Sequence, residues 1–303
     1  MELDLLSQIN FFRNKSIKLL SSIYLDDKYP CCYLVETEQK YYKVRTPSRF
    51  NNRAIINEYL ALNMLSDTLS DRIPSIIESS CYSSGFSYIV ETYLPGKSLD
   101  KLSNIEIIKN KEQIKKQLLS FMDCIYDINT SGYGELDAPF YSSYSKWLLN
   151  RILMHLTYHH QAKFIPTVIL EKIFKIFSNT IIFEKGVPHF LHFDIKPQNL
   201  VYDIVSEKLY IIDFEHSRFG DIEHELYRAQ QRFIKFPDCI KLILEPVLQI
   251  FLKKHQIFLS EEKINLFSIY FYLSEITYLL KTNQIPYAET YMQRLQEKMS
   301  EIL

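Results

Sequence analysis

Short apolar runs dominate the first hundred residues, and longer helical stripes dominate the rest. Tyr33-Leu34-Val35 and Tyr41-Tyr42-Lys43-Val44 flank the polar stretch Glu36–Lys40. This pattern predicts two strands joined by a turn. The spacing then becomes helical: Ala54, Ile55, Tyr59, Leu60, Leu62, Met64 and Leu65 predict a helix over about 52–66. Residues 1–20 form a short amphipathic lead-in. Pro74 opens a new section, in which Cys81-Tyr82 and Phe86–Leu94 flank Ser83-Ser84-Gly85, and Pro95-Gly96 closes this second hairpin.

Beyond Gly96 the chain is mostly helical. Ile114, Leu118, Leu119, Met122, Ile125 and Tyr126 make one apolar stripe, which Ser131-Gly132-Tyr133-Gly134 ends. Helical patterns return at 143–160, 166–183, 260–281 and 287–301, with a further helical stretch from Asp221. Gly186-Val187-Pro188 leads into short strands at 200–202 and 209–212. Strands followed by helices, with one hairpin among them, predict an α+β fold of two unequal lobes. These are a small antiparallel-sheet lobe with one helix, 1–94, and a larger, mainly helical lobe, 95–303.

Composition narrows the class. With 47% apolar and 23% charged residues the chain can bury a core. A net charge of −1 supplies no basic field for nucleic acid or an anionic membrane. No apolar run reaches the roughly 18 residues of a membrane span. The five cysteines are dispersed, with no CxxC, which suits a reducing compartment rather than a disulfide framework or zinc site. His159 and His160 are adjacent on a predicted helix and point about 100° apart, so they make a poor metal pair. Glu2 and Asp4 at the start do not fit a secretory leader. A cytoplasmic protein is expected, with neither nucleic acid nor membrane as partner.

The chemistry concentrates in His192-Phe193-Asp194-Ile195-Lys196-Pro197-Gln198-Asn199 and in Ile211-Ile212-Asp213-Phe214-Glu215. Asp194, Asn199 five residues on, and Asp213 at the end of an apolar strand have the spacing that phosphoryl transfer needs. One carboxylate orients the attacking hydroxyl and accepts its proton. An amide oxygen and a second carboxylate suit Mg²⁺, which takes hard oxygens. Lys196 is a candidate contact for the transferring phosphate. Lys43, on a predicted strand, and Glu58, on the first helix, read as a pair in which the carboxylate pins an ammonium against the nucleotide phosphates. His192 reads as a buried brace for the loop.

These motifs resemble those of the aminoglycoside phosphotransferase and choline kinase superfamily, small-molecule kinases related to protein kinases. The order of parts matches over roughly 30–225: Lys43, Glu58, the connector Val90–Gly96, the Gly132-Tyr133-Gly134 turn, His192–Asn199, Asp213-Phe214-Glu215 and Gly220-Asp221. The resemblance implies a protein-kinase-like bilobal fold. It implies Asp194 as base, Asn199 and Asp213 as magnesium ligands, and Lys43 on the α/β-phosphates. Backbone groups of Glu91, Thr92 and Tyr93 would meet adenine, and Asp221 would steady the catalytic loop. ATP is the implied donor, with GTP as the alternative.

Three departures stand out. Phe193 takes a place where these kinases often carry Gly. Glu215 replaces the Gly of the protein-kinase Asp-Phe-Gly. No glycine precedes Gly85, so a Gly-rich phosphate flap is missing, and the loop at about Asp26–Pro30 is left to cover the nucleotide. Only about eight residues separate Asp213 from the helix at Asp221, too few for a peptide-docking activation segment. The expected activity is therefore O-phosphorylation of a small hydroxylated molecule, an aminoglycoside or other antibiotic. Asp221, Glu223 and Glu225 either attract a cationic acceptor or form an ordinary acidic helix N-terminus. The alternatives are an atypical Ser/Thr protein kinase, a choline- or homoserine-type metabolite kinase, and a non-catalytic nucleotide-binding module.

Overall fold

Among the described residues, five strands and one long helix frame the first lobe. The computed structural model describes residues 6–26, 29–46, 52–81, 87–180, 182 and 186–302. The strands are β1 (Lys18–Asp26), β2 (Tyr29–Thr37), β3 (Lys40–Arg45), β4 (Ile76–Ser79) and β5 (Ile89–Thr92), and the helix between β3 and β4 is α1 (Asn52–Leu69). They form an antiparallel sheet in the order β1-β2-β3-β5-β4.

Because side chains alternate along a strand, β3 and its partners divide cleanly between two faces. Tyr33, Val35, Val44 and Val90 are buried on one face beneath Leu6, Ile9 and Phe12 of the N-terminal segment. That segment is the amphipathic lead-in, and it roofs the back of the sheet. Lys43 lies opposite Glu91, and Arg45 opposite Ile89, on the other face. Ile89 packs there with Ile55 of α1.

The sequence pattern does not reveal β1, whose pairing with β2 shifts register at Leu19/Ser21 and again at Ile23/Tyr24. Each bulge breaks the alternation that marks a strand. The loop expected at Asp26–Pro30 and the turn expected at Ser83-Ser84-Gly85 fall on or beside residues outside those described.

The chain leaves the first sheet after Thr92, and its next strand, β6 (Lys97–Ser98), pairs with β10 (Leu200–Asp203) in the second lobe. Between them lie α2 (Asn104–Asp127), β7 (Tyr133–Glu135), β8 (Ala138–Tyr141), α3 (Tyr144–Ala162), α4 (Thr167–Ser178) and β9 (His189–Leu191). There follow β11 (Lys208–Ile211), β12 (Arg218–Gly220), α5 (Ile222–Phe233), α6 (Asp238–His255), α7 (Glu261–Lys281) and α8 (Ile285–Ile302). The small sheets run β11-β10-β6 and β8-β7-β12-β9. The second has strands of only three or four residues, too short for periodicity to signal.

Helix starts follow local chemistry. Ser103 and Glu106 form a reciprocal capping box on α2, and Ser260 Oγ caps α7 through the Lys263 N–H. The α2 stripe is buried at Ile114, Leu118, Met122 and Ile125, as its spacing predicts. Helix α7 is buried around most of its circumference, from Phe267 through Phe271 to Ile276, and forms the spine of the second lobe. Among the described residues no helix is long and apolar enough to cross a membrane.

Gly96 sits where the chain crosses between sheets. Its φ is +113°, and a Cβ there would lie 2.5 Å from the Tyr202 carbonyl oxygen. Strain and overlap act together, so Gly96→Ala should destabilise the protein by about 2 kcal/mol or more. Urea denaturation measures this, and an unchanged midpoint would contradict the close approach.

Candidate active site

The loop His192–Asn199 starts at the end of β9 and is held from three sides. His192 is fully buried, and burial lowers its pKa. Its Nε2 lies 3.0 Å from the Ile212 carbonyl, and its Nδ1 lies 3.2 Å from the Asp194 backbone N–H that donates to it. The neutral ring with its proton on Nε2 satisfies both bonds. It ties the loop to the strand that delivers Asp213, the bracing role expected of it. The Ile212 N–H also donates to the Asn199 carbonyl at 3.0 Å.

Asn199 Nδ2 donates to the Asp194 carbonyl at 3.0 Å and to Asp194 Oδ2 at 3.1 Å. Its amide nitrogen is thereby committed, and Oδ1 remains as the acceptor. Lys196 Nζ also reaches Asp194 Oδ2, while Arg232 Nε of α5 lies 3.6 Å from Oδ1. Burial alone would raise the Asp194 pKa, yet nearby cations hold it below the ordinary carboxylate value. Burial lowers His216 to about 4, so that ring is neutral at pH 7. Lys196, Arg232 and Arg228 are the cations that act on Asp194.

Asp213 adopts left-handed backbone, φ 73° and ψ 59°. This turns its carboxylate back toward the sheet of the first lobe. Arg45 Nη1 meets Asp213 Oδ1 at 2.9 Å and Glu58 at 3.3 Å, and Arg45 Nη2 meets Glu215 at 2.8 Å. The expected Lys43–Glu58 pair therefore does not form. Lys43 instead pairs across β3–β5 with Glu91 at 3.1 Å. The physical reason is strand geometry. Lys43 and Arg45 share one face of β3, and the register sets Lys43 opposite Glu91, leaving the next cation along to reach α1 and Asp213. Arg45 is a site residue that the sequence reading missed. Glu215 departs from the protein-kinase glycine and serves here as an Arg45 partner.

Two cations, Lys43 and Arg45, thus face four carboxylates, Glu58, Glu91, Asp213 and Glu215. Burial, with Glu91 and Asp213 adding to it, pushes Glu58 up to about 8 against the pull of Arg45. Burial also raises Glu215. Asp213 goes the other way: the attraction of Arg45 and Lys43 outweighs its burial and keeps it ionised. The hard oxygens of Asp213, which stays ionised, and of Asn199 fit a divalent cation such as Mg²⁺.

The connector differs in detail from expectation. Glu91 is fully buried, and its side chain belongs to Lys43. The Thr92 N–H donates to the Ser75 carbonyl at 3.0 Å, and the Tyr93 N–H to the Tyr41 carbonyl at 3.4 Å. Sheet pairing has taken these donors, and the next N–H along the connector is that of Leu94.

Asp221 caps α5 through the Glu223 N–H at 2.9 Å, and Lys263 takes both Asp221 and Glu223. Asp221 and Glu223 therefore form a capped helix N-terminus that shares Lys263. One turn on, Glu225 accepts the Phe193 N–H at 2.6 Å, and Arg228 Nε donates to the Phe193 carbonyl at 3.0 Å. Glu225 and Arg228, rather than Asp221, make the hydrogen bonds from α5 to the loop His192–Asn199.

No protein-family model matches the chain, and no curated protein matches it. Solved structures do. Aminoglycoside phosphotransferase APH(4)-Ia aligns with a TM-score of 0.70 at 15% identity, covering 99% of this chain and 97% of that one. APH(2")-IIa, solved with gentamicin, aligns with a TM-score of 0.69 at 16% identity, covering 99% and 98%. A GDP and kanamycin complex of APH(2")-IIia gives 0.63 at 13% identity, covering 100% and 99%. The likeness spans both lobes, and the chain has the protein-kinase-like fold of the aminoglycoside phosphotransferases.

Breaking a buried ion pair on one side strands a charge. Arg45→Met should cost about 3–5 kcal/mol of stability, and adding Glu58→Gln should recover part of it. Urea unfolding of both variants checks this. A single-variant loss below about 1 kcal/mol would show that Arg45 is dispensable to its carboxylates.

Proposed function

We propose that the protein is a nucleotide- and Mg²⁺-dependent O-phosphotransferase acting on a hydroxyl of a small molecule. One observation carries this reading. Asp194 is ionised and bonded to Asn199, the loop is braced by His192 to the strand bearing Asp213, and Asp213 meets a cation from the opposite lobe. A base, two oxygen ligands and a phosphate-facing cation are the parts that phosphoryl transfer uses.

Asp194 orients the acceptor hydroxyl and takes its proton as the oxygen bonds to the γ-phosphorus and the β–γ bridging bond breaks. Asn199 and Asp213 would hold Mg²⁺, which when bound offsets phosphate charge. Arg45 and Lys43 supply fixed positive charge from the first lobe, and Lys196 supplies it from the loop. ATP is the proposed donor with GTP as alternative; among the neighbours, APH(2")-IIa is solved with streptomycin and ATP, and APH(2")-IIia with GDP.

Several features favour a small acceptor over a protein. The span from Asp213 to α5 is filled by the short turn Phe214–His216 and by β12, which is paired on both sides within its sheet. Nothing of that span is left to present a peptide. The neighbours' hygromycin B, gentamicin and streptomycin favour a small, hydroxylated, antibiotic-like acceptor.

Asp194→Asn should lower turnover by roughly 10²–10⁴ with little change in nucleotide affinity. An ADP-release assay across hydroxylated antibiotics, sugars and amino alcohols, with ATP and GTP in parallel, reads this. A variant with full turnover would remove Asp194 from the reaction. The wild-type pH profile supplies a second test. The base works deprotonated, and its folded pKa lies below the ordinary value. Hence kcat/KM should show no fall from this group between about pH 8 and pH 5. An acid limb near neutrality that disappears in Asp194→Asn would contradict the assignment.

A further inference from the structure

Cations gather on the second-lobe side of Asp194. Arg232 reaches Asp194 Oδ1 at 3.6 Å and Glu275 of α7 at 2.9 Å. Lys235, half exposed, lies 3.7 Å from the same Glu275. One turn back on α5, the Arg228 guanidinium lies 4.3 Å from the centroid of the Phe193 ring. The Arg218 guanidinium of β12 lies 4.3 Å from that ring and 5.3 Å from the Trp147 ring. Arg151 of α3 joins the group beside Tyr270. Arg218 and Arg228 are only 6% and 8% exposed.

The nearby carboxylates neutralise only part of this belt. Glu275 serves Arg232 and Lys235, and Glu225 accepts the Phe193 N–H. Glu135 is engaged by Arg53 and Asn57. Asp221 and Glu223 belong to Lys263. Among the described residues no carboxylate lies within ion-pair distance of Arg151, Arg218 or Arg228, and buried Arg218 Nη1 and Arg151 Nε lack a hydrogen-bond partner. Burial, with mutual repulsion among the arginines adding to it, lowers Arg218 and Arg228 from their ordinary values. Burial would raise the Tyr270 hydroxyl, but Arg151, Arg218 and Arg228 pull it down. Buried guanidiniums without a counter-ion are costly, and guanidinium is the side chain best suited to grip a carboxylate or phosphate.

We propose that the acceptor carries a carboxylate or phosphate group, which Arg232 and Arg228, backed by Arg218 and Lys235, hold while Asp194 engages the acceptor hydroxyl. This deepens the kinase reading and rests on it. A purely amine-bearing acceptor meets like charge at this wall.

Calorimetric titration of the intact protein separates the outcomes. The probes are D-gluconate for a carboxylate, glycerol 3-phosphate for a phosphate, and kanamycin for a polycation, each with and without AMP-PNP and Mg²⁺. At least one anionic probe should bind one-to-one, and kanamycin should not. Arg232→Met should weaken that binding about tenfold or more. Lys235→Glu, a substitution at a half-exposed position that leaves the core intact, should weaken it several-fold. The two anionic probes tell carboxylate from phosphate. Binding of kanamycin with neither anion bound, no anion binding at 10 mM probe (a concentration on the order of weak-ligand dissociation constants), or anion binding unchanged in both variants would each overturn the proposal. AMP-PNP binding in the same titrations is read separately. Its failure would sink the kinase reading, while the nucleotide-free anion titrations still decide the charge of the pocket.

Discussion

Arg45 is the interaction on which the candidate site depends. It is one cation among three carboxylates drawn from two places: Glu58 on the helix of the first lobe, and Asp213 and Glu215 on the turn after β11. Long-range ion pairs seldom add much stability at a surface, but here burial changes the sign of the argument. With Glu58 fully buried and Arg45 mostly so, no water shell waits for either group if the pair separates. Arg45 therefore fixes where the Asp213 carboxylate points. Asn57 adds to the same join by donating to the Glu215 carbonyl at 3.1 Å.

The loop that carries Asp194 is held by a second device. Phe193 sits at φ 65°, a conformation costly for a residue with a bulky side chain. Its N–H and carbonyl are both taken by α5, and its ring lies against two guanidiniums. Cation–π contacts of this kind are worth about 0.5–2 kcal/mol each, comparable with the strain they offset. A glycine would adopt the backbone freely but would offer the arginines no ring. The departure from the usual glycine and the basic belt beside it are thus parts of one arrangement, linking the geometry of Asp194 to the charge of the wall behind it.

Much of this was legible in the chain, for physical reasons that also explain what was not. The helices at Asn52–Leu69, Tyr144–Ala162 and Glu261–Lys281 carry long periodic stripes and lie where the spacing puts them. Asp194, Asn199 and Asp213 share a short, rigid segment, so sequence spacing translates directly into proximity. The partner of Glu58 was not legible. Lys43 and Arg45 are two residues apart on one strand face, and only the β3–β5 register decides which of them meets Glu91 and which reaches α1. Glu225 and Arg232 lie on α5 one and nearly three turns past its start, and their approach to the loop is set by how that helix packs, which a single sequence does not encode locally. A signal did exist for Arg45, since a second cation at i+2 on a strand necessarily shares the face of the first.

The most direct test of the account is Mn²⁺ electron paramagnetic resonance, with Mn²⁺ replacing Mg²⁺ in the presence of AMP-PNP. If Asn199 and Asp213 converge on one ion beside Asp194, bound Mn²⁺ should be detected in the wild type. It should weaken about tenfold or more in Asp213→Asn and in Asn199→Ala, with both variants still folded. Mn²⁺ binding unchanged in both would show that these two side chains do not share an ion, and the arrangement built around Arg45 and Asp194 would not be a phosphotransfer site.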